Sequence, residues 1–424
     1  MKRWQVLAWM LVIAIAWLPL SAGAQMLMNG AGATFPYPIY SKWFEEYIKV
    51  DPDVRFNYQS IGSGGGIRQI SERTVDFGAS DGPMTDEQLK KAPGEIFHIP
   101  TVLGAVVATY NLPSNPQLSF TGDVLADIFL GKITKWSDPR IKALNPSASL
   151  PDQPIVVVHR SDGSGTTYIW VDYLCKISPE WEQKVGRGTS VKWPVGLGGK
   201  GNEGVAGQVK NTPGSLGYVE LAYAITNKLP AAKVRNQAGK FVEPTIESTT
   251  AAAAGAAKNM PADFRVSLTN APGSDAYPVA SFTWLLVYRD QPNEVKGKRL
   301  VKFLWWAIHD GQKHPAALLY APLPAPVVKE IEAKIKQIPF SGKPLLAAHE
   351  ARWRASRRRG RGRPIGCRCL RAPSAAACPV GATACTRWSS SPRCGSSCCW
   401  RRGSSPRWSG NRGRRSGLLG SASW

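Results

Sequence analysis

The chain has 424 residues, of which 43% are hydrophobic, and a formal net charge of +23. Seventeen arginines and seven of the eight cysteines follow Leu346, so residues 1–346 carry a charge of only +7. This excludes a polybasic body, and the single cysteine of the body, Cys175, excludes an internal disulfide bond there. A body of this length suits two domains that fold on hydrophobic cores.

The N-terminus has the composition of an export signal. Lys2 and Arg3 precede an apolar run from Val6 to Leu20, and Ala22-Gly23-Ala24 is typical of a cleavage site. A membrane anchor is the alternative, but the apolar run is short and ends in proline and small residues. We therefore expect residues 1–24 to be a signal peptide and the mature chain to be exported and soluble.

Apolar periodicity predicts strands and helices that alternate along the body. Strands are expected near residues 54–58, 75–81, 101–110, 151–160, 216–219 and 282–288, and helices near 37–50, 67–73, 122–130, 295–309 and 327–338. Polar, glycine-rich loops follow several of these strands. This order is typical of a doubly wound α/β fold.

Two loops in the first part of the chain have residues suited to an anion. Thr34 and Phe35 precede a helix, and Ser63 lies in a second Gly-rich loop before a helix, so both loops offer hydroxyl and N–H groups. Asp81 differs, because a buried carboxylate tolerates an anion only when it accepts a hydrogen bond from a protonated oxygen. Phosphate has such an oxygen at neutral pH and sulfate does not. Taken singly, these residues are equally explained by a helix cap, a flexible turn and a solvated acid.

A loop near the middle of the chain predicts an anion site most directly. Arg160 ends a β-branched run and offers a planar guanidinium to two oxygens of an oxyanion. Ser164, Gly165 and Thr166 then open a helical pattern, where unpaired N–H groups and the helix dipole favour negative charge. The alternative is an ordinary turn, in which Asp162 caps the helix and Arg160 lies on the surface.

Other motifs give no support to an enzyme. The segment from Gly196 to Gly201 resembles a dinucleotide-binding fingerprint only loosely, because we predict no strand before it and no acidic residue at the required distance. The sequence has no Walker A motif, no HExxH motif and few histidines. We predict no cofactor and no metal.

Taken together, these segments resemble the periplasmic phosphate-binding protein of the ABC phosphate importer. The resemblance runs from about Asn29 to Leu346 and is carried by residues 30–36, 61–66, 75–81, 160–166, 191–202 and 341–345. It implies an α/β clamshell of type II periplasmic-binding topology with two hinge crossovers. By this resemblance the first lobe pairs residues 25–100 with 273–346, and the second lobe is residues 101–272.

The resemblance also implies a ligand, a partner and a set of contacts. Inorganic phosphate would lie between the lobes in the periplasm and pass to a membrane permease, with no catalysis; we expect a monomer and no nucleic acid. The contacts that it assigns to phosphate are Thr34, Phe35, Ser63, Asp81, Arg160, Ser164, Gly165 and Thr166. Asp162 matches the acid that pairs with the arginine. Some members have a second serine at Gly64, and we expect this difference to cost no contact.

Three other functions are compatible with parts of the sequence. A sulfate or molybdate receptor would have no use for an acceptor at Asp81. A secreted phosphatase would need a metal cluster or an activated nucleophile, and Ser164 has no evident histidine partner. A basic nucleic-acid or surface-adhesion protein is suggested by the C-terminal tail alone.

Residues 347–424 form that Arg- and Cys-rich tail, which shows neither helical nor alternating periodicity. Its cysteine spacings fit no regular pair of zinc knuckles. A shifted reading frame in a GC-rich gene yields this mixture of Arg, Ala, Gly, Ser, Cys and Trp. We hypothesise that the sequence after about Leu346 derives from a frameshift and is disordered, and sequencing the gene at that codon tests this.

Overall fold

The computed structural model describes residues 25–256 and 260–346, which form an α/β fold. The predicted signal peptide and the predicted disorder of residues 347–424 lie outside these ranges. Within them, no helix combines the length and the hydrophobicity that a membrane span requires.

Thirteen strands are present in the described ranges. They are β1 (Met26–Gly32), β2 (Val54–Ser60), β3 (Phe77–Ser80), β4 (Ile96–Tyr110), β5 (Ser119–Phe120), β6 (Val156–Arg160), β7 (Leu197–Gly199), β8 (Ser215–Glu220), β9 (Lys233–Arg235), β10 (Phe241–Val242), β11 (Ala280–Tyr288), β12 (Pro339–Phe340) and β13 (Lys343–Pro344). Eight of them form one mixed sheet in the order β2-β1-β3-β11-β4-β8-β6-β7.

Twelve α-helices in the same ranges cover and connect this sheet. They are α1 (Tyr37–Tyr47), α2 (Ser63–Ser71), α3 (Asp86–Lys91), α4 (Gly122–Phe129), α5 (Pro139–Leu144), α6 (Gly165–Ile177), α7 (Pro179–Lys184), α8 (Gly201–Asn211), α9 (Leu221–Thr226), α10 (Ile246–Ala256), α11 (Glu294–Ala307) and α12 (Ala325–Ile335). Two 3₁₀ turns, Asp310–Lys313 and Pro315–Leu318, follow α11.

Strand β4 joins two halves of the eight-stranded sheet. Its residues 96–105 pair antiparallel with β11, whereas residues 106–110 pair antiparallel with β8. We call β1, β2, β3 and β11 the first sheet half, and β6, β7 and β8 the second sheet half. All 15 residues of β4 are buried, so this strand lies in the core throughout its length.

The strand directions decide where the loops lie. Strand β1 is parallel to β2 and β3, and β6 is parallel to β7 and β8. Parallel neighbours end at the same edge of a sheet, so the loops that follow them gather there. Each sheet half therefore presents three loops on the side of its carboxyl ends.

Aromatic side chains secure the helices against the first sheet half. Helix α1 buries Ile39, Trp43 and Tyr47, which recur at helical spacing, and Trp43 Nε1 donates to the carbonyl of Gly311 at 2.9 Å. The ring of Phe56 on β2 lies 4.5 Å from that of Phe303, centroid to centroid. Truncating Trp43 to alanine would cost about 3–5 kcal/mol of stability, because a cavity would remain in a packed core.

The strand predicted to start at Thr101 begins five residues earlier, at Ile96. Pro100 has no N–H and normally interrupts a ladder, which is why the sequence favoured a later start. The register between β4 and β11 shifts next to Pro100, since Thr283 is opposite Val102 and Trp284 is opposite Pro100. A β-bulge therefore accommodates the proline inside the strand.

Candidate functional site

Three loops of the first sheet half bring predicted residues to the junction between the halves. Thr34 follows β1, Ser63 is the first residue of α2 rather than part of the preceding loop, and Asp81 directly follows β3. Gly32 makes the turn after β1 possible, because its φ is 146° and a Cβ there would lie 2.0 Å from the carbonyl oxygen of Ala79. The side chains of Thr34, Ser63 and Asp81 are all buried.

Phe35 is positioned through its ring and its carbonyl group. The ring is buried, with its centroid 6.2 Å from that of Tyr320, and the Tyr320 hydroxyl donates to the Phe35 carbonyl at 2.6 Å. The segment before α1 is thereby fixed, and the group that the sequence assigned to an anion is the N–H of Phe35.

The second sheet half contributes the N-terminus of α6. Ser164 is the N-cap, and its Oγ accepts a hydrogen bond from the N–H of Thr167 at 3.0 Å. Gly165 and Thr166 form the first turn, where N–H groups have no acceptor within the helix. Helix capping by Asp162, which the sequence left open, is therefore wrong for α6, because Ser164 takes that position.

Arg160, at the end of β6, is buried and paired with Asp162. Its Nε donates to Asp162 Oδ1 at 2.8 Å and its Nη2 to Oδ2 at 2.6 Å, in a two-pronged geometry that fixes the guanidinium plane. The N–H of Gly201 also donates to Asp162 Oδ1, at 3.0 Å. Burial tends to raise the pKa of Asp162, but the hydrogen bonds and charge of Arg160 outweigh it and lower the pKa. A surface position for Arg160 is excluded, since 3% of it is exposed.

The two sets of loops are in direct contact. The N–H of Gly64 donates to the carbonyl of Gly163 at 2.9 Å, and the Tyr223 hydroxyl donates to the carbonyl of Thr34 at 2.6 Å. A Cβ on Gly165 would lie 2.4 Å from Ser63 Oγ. Glycine at position 165 is thus required by the close approach of the two halves.

Asp81 is the acceptor within this group of donors. Its Oδ1 accepts from the Thr283 hydroxyl at 2.7 Å, and its own N–H donates to Ser63 Oγ at 3.2 Å. Burial raises the pKa of Asp81 to about 7, against the opposing hydrogen bonds of Thr283 and Ser63 and the charge of Arg160. In its ionised form this carboxyl group only accepts hydrogen bonds, so the hydroxyl of a protonated oxyanion is a suitable partner for it.

Sequence reasoning missed three residues of this junction. Thr283, on β11, binds Asp81; Tyr223, on α9, binds Thr34; and Asn202, in the first turn of α8, donates through Nδ2 to the hydroxyls of Thr34 at 2.7 Å and Thr166 at 3.0 Å. Asn202 ends one of the segments that carried the resemblance, which was the available signal. The other two are linked to the site by pairing between distant parts of the chain.

The geometry suits the binding of an anion. Ser164 Oγ accepts from the N–H of Thr167 as a helix cap, and among the described residues no hydrogen bond joins it to a histidine or a carboxylate. In the described ranges, no three His, Cys, Asp or Glu side chains are grouped so as to hold a metal ion. Buried hydroxyls, N–H groups, one guanidinium and one carboxyl group face each other across the junction.

Comparisons with known proteins identify the family of the chain. A sequence model described as a PBP superfamily domain matches residues 21–310, more than half of the chain. The phosphate-binding protein PstS of Pasteurella multocida (strain Pm70) is 48% identical over 331 residues, covering 78% of this chain and 95% of that protein. The phosphate-binding protein PstS of Methanocaldococcus jannaschii is 42% identical over 329 residues, covering 72% of this chain and 84% of that protein.

Solved structures extend the likeness to the fold. A high affinity periplasmic phosphate-binding protein bound with phosphate has a TM-score of 0.58 at 20% identity, covering 73% of this chain and 93% of that chain. A human phosphate binding apolipoprotein has a TM-score of 0.58 at 19% identity, covering 72% and 93%. The predicted α/β periplasmic-binding-protein fold is thereby confirmed.

Proposed function

The chain belongs to the PstS family of phosphate-binding proteins, within the PBP superfamily, and from this premise we propose that it captures inorganic phosphate between its two sheet halves for an ABC phosphate permease. Proteins of this family are transport receptors, so the chain is a binding protein and not an enzyme. The contacts, the lobes and the route of delivery are parts of the proposal.

One observation carries the choice of ligand. Asp81 is buried and accepts from the hydroxyls of Thr283 and Ser63, and in its ionised form it has no proton to donate. A phosphate ion with one proton satisfies this acceptor and accepts from the surrounding donors at the same time. Sulfate and molybdate bring no proton, so they would leave Asp81 unpaired and repelled.

The proposed contacts are those that the sequence assigned. From the first sheet half they are the Thr34 hydroxyl, the Phe35 N–H, the Ser63 hydroxyl and the Asp81 carboxyl group. From the second they are Arg160 and the N-terminus of α6 at Ser164, Gly165 and Thr166. Asp162 pairs with Arg160 and limits the charge that reaches the ligand. The eight proposed contact residues are all buried, which favours a ligand that is held dehydrated.

We further propose that the two sheet halves belong to two lobes that close on the ligand. The boundaries remain those of the resemblance, with residues 25–100 and 273–346 in one lobe and 101–272 in the other. Strand β4 supports a division close to the first boundary, because its pairing passes from β11 to β8 between Ala105 and Val106, five residues after it. The N–H of Val106 also donates to the carbonyl of Val279 at 2.8 Å, which brings both proposed crossovers together.

The proposed place of action is the periplasm, with a membrane permease as the partner. A phosphate-bound relative of the same fold is described as periplasmic. The N-terminal sequence predicts export through a cleaved signal peptide, and capture outside the cytoplasm is useful only if a permease then receives the ion. We propose that the receptor acts as a monomer, without cofactor or nucleic acid.

Isothermal titration of phosphate, with sulfate as control, into the purified mature chain tests the function. We expect one-to-one binding of phosphate and no heat from sulfate. Binding of sulfate with similar affinity would favour a sulfate receptor, and hydrolysis of a chromogenic phosphate ester would favour a phosphatase. A variant ending at Leu346 should bind as the full chain does, and loss of binding would show that the tail participates.

A further inference from the structure

We propose that Asn202 is a positioning residue that makes the hydroxyls of Thr34 and Thr166 obligatory donors toward the bound anion. The proposal rests on the proposed phosphate site and concerns the direction of its protons. Asn202 itself contacts the two hydroxyls and is fully buried. It does not need to contact the ligand.

The orientation of the Asn202 side chain follows from its partner. The backbone N–H of Glu220 lies 3.0 Å from Asn202 Oδ1, and an N–H can only donate. The oxygen of the amide must therefore face Glu220, at the end of β8. The Nδ2 group then faces Thr34 and Thr166, so the amide reaches these hydroxyls with donors alone.

The hydroxyl of Thr34 has no acceptor capacity left. Its Oγ1 accepts from Asn202 Nδ2 at 2.7 Å and from the backbone N–H of Asn202 at 3.2 Å. A hydroxyl oxygen has two lone pairs and one proton. Because both lone pairs are occupied, Thr34 can make a further hydrogen bond only by donating its proton.

The same count applies to Thr166 on the opposite side of the junction. Its Oγ1 accepts from Asn202 Nδ2 at 3.0 Å and from Arg160 Nη1 at 3.3 Å. Its proton is therefore also the one group available to a ligand. A single amide thus sets the proton direction of one hydroxyl from each sheet half.

The serines of the site are not restricted in this way. Ser63 Oγ accepts from the N–H of Asp81 at 3.2 Å, and Ser164 Oγ accepts from the N–H of Thr167 at 3.0 Å. Each of these bonds occupies one lone pair, so a serine hydroxyl can still accept from a protonated oxygen. The two threonines therefore select unprotonated oxygens, so a protonated oxygen has to face Asp81 or one of the two serines.

A double-mutant cycle tests whether Asn202 acts through the two hydroxyls. We expect Asn202→Ala to weaken phosphate binding about 10- to 100-fold, since two hydrogen bonds to a charged ligand lose their fixed donors. In the Thr34→Val/Thr166→Val background the same change should cost less than about threefold. An undiminished cost in that background would overturn the proposal, because Asn202 would then act by another route.

Asn202→Asp provides a second variant of nearly unchanged shape. One carboxylate oxygen can still accept from Glu220 N–H, while the other would accept from Thr34 and Thr166 and turn their protons away from the ligand. We expect a loss at least as large as that of Asn202→Ala, about 100-fold or more, with the added charge contributing. Affinity within threefold of the wild type would contradict the proposal.

The pH dependence gives a readout that a purely structural role would not change. Without Asn202 the threonine hydroxyls can accept as well as donate, and dihydrogen phosphate has a second proton to offer them. The loss caused by Asn202→Ala should therefore be smaller at pH 6 than at pH 8.5. An equal loss at both pH values would count against the proposal.

Asn145→Ala is the matched control. Asn145 is also a buried amide with several bonds, donating to the carbonyls of Ser119 and Ile141, yet it makes none to the site. It should lower the unfolding midpoint while phosphate affinity stays within twofold of the wild type. If the wild type itself binds no phosphate, the proposed function fails. If the wild type binds phosphate and the Asn202 variants bind it equally well, this inference alone fails.

Discussion

The two sheet halves contribute different chemistry to the junction. The first brings hydroxyls and a buried carboxyl group, that of Asp81, whose pKa is raised by burial to about 7. The second brings a guanidinium and a helix N-terminus, and its acid, Asp162, is occupied by Arg160 and has a lowered pKa. In the proposed function, one half therefore distinguishes a protonated ligand from an unprotonated one, and the other half attracts any oxyanion.

This difference implies that neither half is selective alone. The loops after β6 would attract sulfate as readily as phosphate, because an arginine and helical N–H groups respond to negative charge. The loops after β3 would repel both without those donors. We propose that selectivity arises when contacts such as Gly64 N–H to the Gly163 carbonyl bring the two sets of loops together. Attraction of the anion by Arg160, close approach of the two sheet halves and recognition of the ligand's proton by Asp81 can each be removed by one substitution.

Removing the attraction should have the largest effect. Arg160→Met leaves Asp162 buried without its partner and removes the guanidinium from the ligand. We expect phosphate affinity to fall by about a thousandfold or more, about 4 kcal/mol, measured by isothermal titration. Arg187→Met, which breaks a more exposed ion pair with Asp172 in the same half, should change affinity less than about threefold.

Blocking the approach of the halves should come next. In Gly165→Ala the new Cβ would lie 2.4 Å from Ser63 Oγ and 2.6 Å from Asp81 Oδ2, so the loops cannot meet as they do now. We expect about a hundredfold weaker binding by titration, and solution scattering with phosphate should show a larger radius than the wild type.

Gly207→Ala is the control for this change. Gly207 lies on α8, and a Cβ there would meet no atom within 4 Å. Because alanine is the better helix former, the variant should gain up to about 1 kcal/mol of stability and keep its affinity. Normal affinity of Gly165→Ala would contradict the required close approach.

Replacing the acceptor Asp81 should weaken phosphate binding less than blocking the approach of the two halves does, and it should change the selectivity between anions. Asp81→Asn keeps the shape and can still accept from Thr283, but it removes the carboxylate that repels unprotonated anions. We expect phosphate affinity to fall about tenfold or more and sulfate binding to become measurable by competition titration. Unchanged affinity together with continued exclusion of sulfate would refute the role of Asp81.

The two acids should also give opposite dependences of stability on pH. The folded-state pKa of Asp81 is about 7, above the unfolded value of 3.8, so the folded protein binds more protons and loses stability as pH rises through that window. The lowered pKa of Asp162 acts in reverse: its contribution is present above the unfolded pKa and is lost as pH falls toward the folded value.

The contribution of Asp81 to the free energy of unfolding is measured by urea unfolding of phosphate-free protein at pH 5 and pH 8. Asp81→Asn should remove a destabilisation at pH 8 on the order of 2–4 kcal/mol relative to pH 5. An identical difference between the two pH values in wild type and variant would contradict the raised pKa.

Asp162→Asn should have the smallest effect on affinity. The amide oxygen can still accept from Gly201 N–H and from Arg160 Nε, so one of the two bonds that orient the guanidinium remains, while the bond from Nη2 is lost. The lost ion pair increases the charge of Arg160 toward the ligand, which offsets part of the lost rigidity. We expect a change below about tenfold in titration; a loss as large as that of Arg160→Met would mean that the pair acts as one unit.

The sequence was most informative where a local signal existed. Glycines beside Ser63, and the change from a β-branched run to a helical pattern at Arg160, predicted loops at strand ends, and the structure brings these residues together. Their position at one junction is therefore seen, whereas their contact with phosphate stays a prediction. The α/β fold and the family were likewise accessible, because they depend on periodicity and contiguous motifs.

What the sequence did not reveal depends on pairing between distant segments. Asn202 and Thr34 are 168 positions apart, and Thr283 and Asp81 are 202 apart, so no local pattern connects them. The early start of β4 was hidden for a similar reason. Whether Pro100 ends a strand or lies at a bulge is decided by the register of β11 opposite it.

The position of β11 has a consequence for how the chain is made. In the sheet order, β11 lies between β3 and β4, yet it is synthesised after every strand of the second sheet half. The second half can thus assemble before residues 280–288, which pair with β3, have been synthesised. Pairing across so long a stretch of chain is slow, and the open edge of β3 is exposed until then. Protection of β1–β3 against aggregation is therefore needed until residues 280–288 have been synthesised.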